Sequence, residues 1–268
     1  MRFRLTPITI GPVDGFPTET WATDDNFLPL GRGSVAERRP IFCRRDGTLA
    51  WPGDSPYSGG MTTTSFDAAR AGIIAVGRRL DARGWAPATA GNYSVRLDDG
   101  FAVTASGWHK GRLTEDGVLR LDADGHVVGS GRPSAETHLH LSIYRQFPAA
   151  GAVLHGHSPQ AVGLTRAFRQ IEAWYFVGHE MLKVFPGQTT HDSEIALPIV
   201  DNSQDMTVIE AAIAPILARP GAAPAYLIRD HGLYAWGKDL DEAERVLEAV
   251  EWLIAAELAE RSFRESAS

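Results

Sequence analysis

The sequence has little cysteine, no long apolar run and no excess of positive charge. Its 268 residues include one cysteine, Cys43, so no disulfide can form within the chain. No apolar N-terminal stretch and no run of roughly 20 apolar residues predicts a signal peptide or a membrane span. The sequence has 26 Lys and Arg residues and 33 Asp and Glu residues, which gives a net charge of −7. This negative charge disfavours binding to a nucleic-acid backbone. We therefore expect a cytoplasmic protein without a nucleic-acid or membrane partner.

The remaining composition is that of a globular protein, but prolines are concentrated in the first 60 residues. Hydrophobic residues make up 44% of the chain and charged residues 22%, and residues 1–60 hold 7 of the 16 prolines. All nine histidines follow Met61. We expect residues 1–60 to be a poorly ordered leader or a mis-assigned start, and residues 61–268 to form the functional domain. A genuine arm that packs on the surface or on a neighbouring subunit is the alternative.

Apolar periodicity after Met61 predicts one domain in which helices and antiparallel strands alternate. Capping residues and apolar spacing predict helices that begin near Ser65, Ser134, Ser158, Asp205 and Asp241. Pro215 should end or kink the fourth of these helices. Alternating residues predict strands over 93–97, 101–104, 118–121, 126–128, 152–157 and 225–236.

Two histidines two residues apart form the strongest local motif. Because a strand repeats every two residues, His155 and His157 should point to the same face of the sheet. Such a pair can begin a zinc site, but a catalytic site needs a third protein ligand. His179, His191 and His231 are the candidates, and His231 lies where an apolar strand reaches a glycine turn. The alternative for His231 is a core histidine bonded to the backbone.

Two carboxylates are candidates for proton transfer beside a metal. Glu136 should lie on the first turn of the helix that opens at Ser134, where its alternative role is helix capping. Glu180 lies among apolar residues that would raise its pKa towards a value useful for general acid and base catalysis. A solvated ion pair with Lys183 is the alternative for Glu180.

Two glycine-bearing loops, residues 89–92 and 106–111, can provide an anion site. They offer backbone N–H groups, hydroxyl or amide donors and one positive charge. The candidate phosphate-binding residues are Gly91, Asn92, Ser106, Gly107 and Lys110. Neither loop has the spacing of a nucleotide-binding motif, and ordinary turns are the alternative.

The order of these motifs along the chain resembles the class II aldolase and adducin superfamily. The resemblance runs from about Phe66 to Phe263 and leaves out the leader. It is carried by residues 84–92, 106–111, 133–136, 155–157, 178–183 and 229–237. Within the superfamily, residues 84–89 and 179–183 are similar to the sugar-phosphate dehydratases of methionine salvage.

This resemblance implies an α/β/α domain with a mainly antiparallel central sheet flanked by helices. It implies one zinc ion per subunit held by His155, His157 and His231. The dehydratase branch implies Glu180 as the catalytic acid and base, whereas the aldolase branch implies Glu136, which we keep as a secondary candidate. Gly156 departs from the family, which usually has threonine there, and should loosen the strand.

The implied activity is dehydration of 5-methylthioribulose 1-phosphate, a small sugar phosphate, by a lyase. A class II sugar-phosphate aldolase or epimerase is the alternative, since the same metal would serve cleavage of a carbon–carbon bond. A non-catalytic, adducin-like interaction domain is a third hypothesis, which the retained histidines and Glu180 disfavour. The resemblance also implies a homo-oligomer, with a tetramer favoured, in which a neighbour can complete the site.

Overall fold

The computed structural model describes residues 64–219 and 221–267, so the predicted leader over residues 1–60 lies outside the described part. The α-helices are α1 (Phe66–Ala82), α2 (Thr137–Gln146), α3 (Pro159–Ala167), α4 (Met206–Leu217) and α5 (Leu240–Ser266). The strands are β1 (Asn92–Leu97), β2 (Gly100–Thr104), β3 (Val118–Asp122), β4 (Val127–Val128), β5 (Ala152–Gly156), β6 (Ala173–Val177), β7 (Glu194–Val200), β8 (Ala225–Ile228) and β9 (Gly232–Gly237).

These strands form one sheet in the order β4-β3-β2-β1-β5-β9-β8-β7-β6. Neighbouring strands run antiparallel except β7 and β8, which are parallel. Strand β5 lies in the middle and pairs with β1 and β9, so His155 is opposite Asn92 on one side and Tyr234 on the other. The predicted mainly antiparallel sheet is confirmed.

Helices cover both faces of the sheet and bury an apolar core on each. Helices α1, α3 and α5 supply one core through side chains such as Ile73, Leu164 and Leu247. Helices α2 and α4 supply the other through side chains such as Leu139 and Ile213. The three-layer α/β/α fold implied by the resemblance is therefore correct.

Helix starts follow the capping chemistry of the sequence at most positions. The Ser65 hydroxyl caps α1 and the Ser158 hydroxyl caps α3, as predicted. The helix predicted to open at Ser134 begins three residues later, at Thr137, because residues 134–136 form a turn that leaves Glu136 as the N-cap. Helix α4 ends two residues after Pro215, in agreement with the prediction.

Two features of the sheet differ from the sequence prediction. The segment 225–236 forms two strands, because the chain turns at Asp230, whose φ is +59°. Strands β6 and β7 were not predicted. The β6 segment, Ala173–Val177, consists entirely of apolar and aromatic residues, and four of its five side chains are at least partly exposed. Among the described residues, no helix combines the length and apolar character needed to cross a membrane.

Candidate functional site

Three histidines and one glutamate meet where β5 ends and β9 begins. His155 lies within β5, His157 follows that strand, His231 precedes β9, and Glu136 is the N-cap of α2. Their ligand atoms all lie within 4.8 Å of one another. The strand period places His155 and His157 together, whereas His231 and Glu136 reach the same point through the sheet topology.

The distances in this cluster match side chains that face a common centre. His155 Nε2 lies 3.3 Å from His231 Nε2. Glu136 Oε1 lies 2.7 Å from His231 Nε2 and 3.6 Å from His155 Nε2. The Nε2 atom of His157 is buried and has no hydrogen-bond partner among the described residues. A buried ring nitrogen without a partner costs free energy unless a ligand satisfies it.

Hydrogen bonds at the far side of two rings determine which nitrogen faces the cluster. His155 Nδ1 donates to the carbonyl of Leu233 at 3.0 Å, and His231 Nδ1 donates to the Asn202 side-chain oxygen at 3.2 Å. A neutral imidazole carries one proton, so Nε2 of each ring keeps its lone pair for a metal. Asn202 was missed from the sequence because it is 29 positions from His231 and no local spacing relates the two.

Burial and charge shift the pKa values of three members of the cluster, His155, His157 and Glu136. Burial lowers the pKa of His155 well below its usual value. Burial and the neighbouring His231 lower the pKa of His157 to about 4. Burial opposes ionisation of Glu136, but His155, His231 and the Asn92 amide together hold its pKa below its usual range. Neutral imidazoles and a carboxylate are suitable ligands for a divalent ion such as zinc.

Close backbone approaches around the cluster require glycine. Gly91 has a φ of +78°, and a Cβ there would lie 2.7 Å from the carbonyl oxygen of His155. A Cβ on Gly232 would lie 2.2 Å from the Gly156 carbonyl oxygen. At Gly156 itself, a Cβ would lie 3.0 Å from the Trp85 carbonyl oxygen, so a side chain would be tightly confined there.

Lys110 connects the two candidate phosphate loops. Its Nζ donates to the carbonyls of Thr89, at 3.0 Å, and Trp108, at 2.7 Å. Only 1% of the residue is exposed, and burial lowers the Lys110 pKa to about 8 although Glu136 opposes this shift. The Lys110 charge therefore stabilises the loop geometry and lies near the cluster, where it helps to lower the pKa of His157.

The other loop residues differ in whether their polar groups already form hydrogen bonds within the protein. The Asn92 side chain is buried, donates to Glu136 Oε2 and accepts from His140 Nε2. The backbone N–H of Ser106 donates to the carbonyl of Arg132 at 2.9 Å. Gly107 has a φ of +81° and open space on its Cβ side. The space beside Gly107 leaves room for a ligand at this loop.

Glu180 lies apart from the cluster in the described part of the chain. Its side chain is 72% exposed, is bonded to Lys183 and lies 3.5 Å from His191. The Lys183 ammonium lowers the Glu180 pKa, so the expectation of a raised pKa from apolar surroundings is wrong for this arrangement. His179 pairs with Glu257 at 3.1 Å and does not join the cluster.

The three-layer fold carries a group of three histidines and one glutamate that could hold a metal ion. Residues 71–258 match the family described as Class II Aldolase and Adducin N-terminal domain. The chain therefore belongs to the class II aldolase and adducin family.

Individual relatives carry more specific names than the family does. The chain is 49% identical over 203 residues to a methylthioribulose-1-phosphate dehydratase of Gluconacetobacter diazotrophicus, an alignment that covers 75% of this chain and 98% of that protein. It is 48% identical over 194 residues to one of Acidiphilium cryptum, covering 72% and 90%. Among solved structures, an L-fuculose-1-phosphate aldolase from Thermus thermophilus is similar with a TM-score of 0.61 and 26% identity, covering 75% and 99%.

Proposed function

We propose that this protein is a lyase of methionine salvage that removes water from 5-methylthioribulose 1-phosphate to yield 5-methylthio-2,3-dioxopentyl phosphate. The observation that carries the proposal is the cluster of three histidines and Glu136 with the unpartnered Nε2 of His157. It occurs on a chain about half identical to proteins named as dehydratases, over nearly their whole length.

We assign the metal, one zinc ion per subunit, to His155, His157 and His231. Their three nitrogen atoms leave a further position for substrate, as catalytic zinc sites require. When bound there, zinc supplies a Lewis acid that polarises the C2 carbonyl of the substrate and makes the C3 proton more acidic. Glu136 Oε1 faces the same centre, so Glu136 is a further ligand or the secondary acid and base.

Glu180 is the proposed proton carrier. Its carboxylate takes the C3 proton, and its acid form returns a proton to the C4 hydroxyl, which leaves as water while a C3–C4 double bond forms. The resulting enol tautomerises to the 2,3-diketone. Because Glu180 is exposed and paired with Lys183 in its own chain, we propose that Glu180 of the partner subunit completes each site in a homo-oligomer, with a tetramer favoured.

The phosphate is assigned to the loops that Lys110 connects. Gly91, Ser106 and Gly107 offer backbone or hydroxyl donors without bulky side chains, and Lys110 has a third N–H beyond the two donated to backbone carbonyls. Asn92 belongs to this loop, although its side-chain amide already bonds to protein partners.

Aldol cleavage is the second candidate, and the position of Glu136 favours it. Glu136 lies at the cluster, and one solved structure with a similar fold is that of an L-fuculose-1-phosphate aldolase. Cleavage of the C3–C4 bond of the same substrate would release dihydroxyacetone phosphate and methylthioacetaldehyde. The two reactions are therefore distinguishable by their products.

The test is incubation of the zinc-loaded protein with 5-methylthioribulose 1-phosphate, followed by mass spectrometry. Loss of one water from the substrate, with no dihydroxyacetone phosphate, is the expected result. Release of dihydroxyacetone phosphate would establish the aldolase alternative. Unchanged substrate in the presence of folded, zinc-loaded protein would overturn both.

A further inference from the structure

A chain of polar side chains leads from Glu136 into the core beneath the metal cluster. The Tyr144 hydroxyl lies 2.8 Å from Ser94 Oγ, and Ser94 Oγ lies 2.7 Å from His140 Nδ1. His140 Nε2 lies 2.5 Å from the side-chain oxygen of Asn92, whose amide nitrogen is bonded to Glu136 Oε2. The four residues beyond Glu136 are between 0% and 5% exposed.

The chemistry of these groups gives every hydrogen bond one direction. A carboxylate only accepts, so the Asn92 amide must turn its nitrogen to Glu136 and its oxygen to His140. His140 Nε2 then carries the proton and Nδ1 accepts from Ser94, because burial lowers the His140 pKa to about 4 and keeps the ring neutral. The Ser94 proton is thereby used, so Tyr144 donates to Ser94. Each group donates to the next, and the chain ends on Glu136.

Regular sequence spacing on β1 and α2 aligns these polar side chains. Asn92 and Ser94 are two residues apart on β1 and share one face of the sheet. Glu136, His140 and Tyr144 are spaced four apart, from the N-cap of α2 through that helix, so they share one helix face. The helix lies over that face of the sheet, and this burial excludes water that could otherwise replace a missing donor.

We propose that His140 is a positioning residue, which acts through Asn92 to hold the Glu136 carboxylate with Oε2 towards Asn92 and Oε1 towards the three histidines. This inference rests on the proposed metal site, with Glu136 as its further ligand. Without the His140 N–H, the Asn92 amide can turn its oxygen to Glu136, and repulsion between the two oxygens moves the carboxylate. Outer groups of this kind change metal affinity by about 10–100-fold.

Two substitutions at His140 separate positioning from simple core packing. The amide of His140→Gln reaches as far as Nε2 and can still donate to Asn92. The amide of His140→Asn reaches only as far as Nδ1, so it keeps the bond to Ser94 and loses Asn92. Tyr144→Phe is the matched control, because it removes the outermost hydroxyl and leaves the bond between His140 and Asn92 intact.

The zinc dissociation constant is measured by competition with a chromophoric chelator, and urea unfolding is measured on the same proteins. We expect His140→Asn to weaken zinc binding by about 10–100-fold, with His140→Gln and Tyr144→Phe within about threefold of wild type. Equal zinc affinity in His140→Asn and wild type would overturn the inference, and so would equal losses in both His140 variants.

Two further outcomes keep the inference separate from the proposed function. Wild-type protein that binds no zinc would overturn the metal site and the inference together. Wild-type protein that binds zinc and forms diketone, with no loss in His140→Asn, would leave the proposed function in place and remove the inference. Where His140→Asn does not fold, Asn92→Asp takes its place, because it accepts from His140 but repels Glu136, and unchanged zinc affinity in that variant overturns the inference.

Discussion

The stability of the protein should depend on pH through Glu251, a buried carboxyl group on α5. Only 3% of Glu251 is exposed. Its Oε2 accepts a hydrogen bond from the Ser158 hydroxyl at 2.6 Å, and its Oε1 has no partner in the part of the chain that the structure describes. Burial raises the pKa of Glu251 from 4.5 to about 7. The native state therefore favours the protonated acid at this position.

The sign and size of the effect follow from this pKa difference. Between pH 4.5 and 7, the unfolded chain loses the Glu251 proton while the folded chain keeps it, so the free energy of unfolding falls as the pH rises. Below and above this window, Glu251 contributes no slope. At about 1.4 kcal/mol for each pH unit, the full effect is about 3 kcal/mol.

Glu251→Gln tests this because glutamine has nearly the same shape and does not titrate in this range. Urea unfolding at pH 5 and pH 8 should show that the variant gains about 2.5 kcal/mol relative to wild type between the two conditions. Glu260→Gln, a partly exposed change on the same helix, is the control and should show little difference between them. The reasoning is refuted when the stability difference between Glu251→Gln and wild type is the same at pH 5 and pH 8.

Three further predictions concern the proposed site. His157→Ala should abolish zinc binding and turnover in a folded protein, and metal analysis showing full zinc content would contradict the ligand assignment. Glu180→Gln should keep its zinc and lose turnover by about 10²–10⁴-fold, whereas wild-type rates would exclude Glu180 as the proton carrier. Gly91→Ala should lower the free energy of unfolding by about 2–3 kcal/mol, since the left-handed conformation costs roughly 1–2 kcal/mol and the new Cβ would meet the His155 carbonyl. Gly163→Ala, on a helix with open space around it, is the control for that experiment and should not destabilise the protein.

Helices and hairpins were predictable because their signals are local. Ser65 and Ser158 begin helices through hydrogen bonds within one turn, and the turn at Asp98 and Asp99 joins two strands that are adjacent in sequence. Strands β6 and β7 consist mostly of apolar residues, which favour a strand. Their place at one side of the sheet, with β7 parallel to β8 across an intervening helix, does not follow from local signals.

Local sequence spacing likewise predicts some parts of the candidate site and not others. His155 and His157 face one point because strand geometry repeats every two residues, so their pairing can be read from the sequence. The spacing of Glu136, His140 and Tyr144 also lies in the sequence, but its partner residues on β1 do not follow from it. Glu180 shows the opposite case, because its apolar neighbours in sequence suggested a raised pKa, whereas the structure has the alternative, an exposed ion pair with Lys183.

The sequence by itself therefore determined the helices, the hairpins, the paired histidines and the resemblance to the family. Tertiary structure alone decided that Glu136 meets the three histidines, that Asn202 orients one ring, and that Glu180 lies outside the cluster. The physical reason is the range of the interactions. Caps, turns and periodicity act over a few residues, whereas the site depends on contacts between side chains that are 19 to 95 positions apart, and only the packed sheet brings these together.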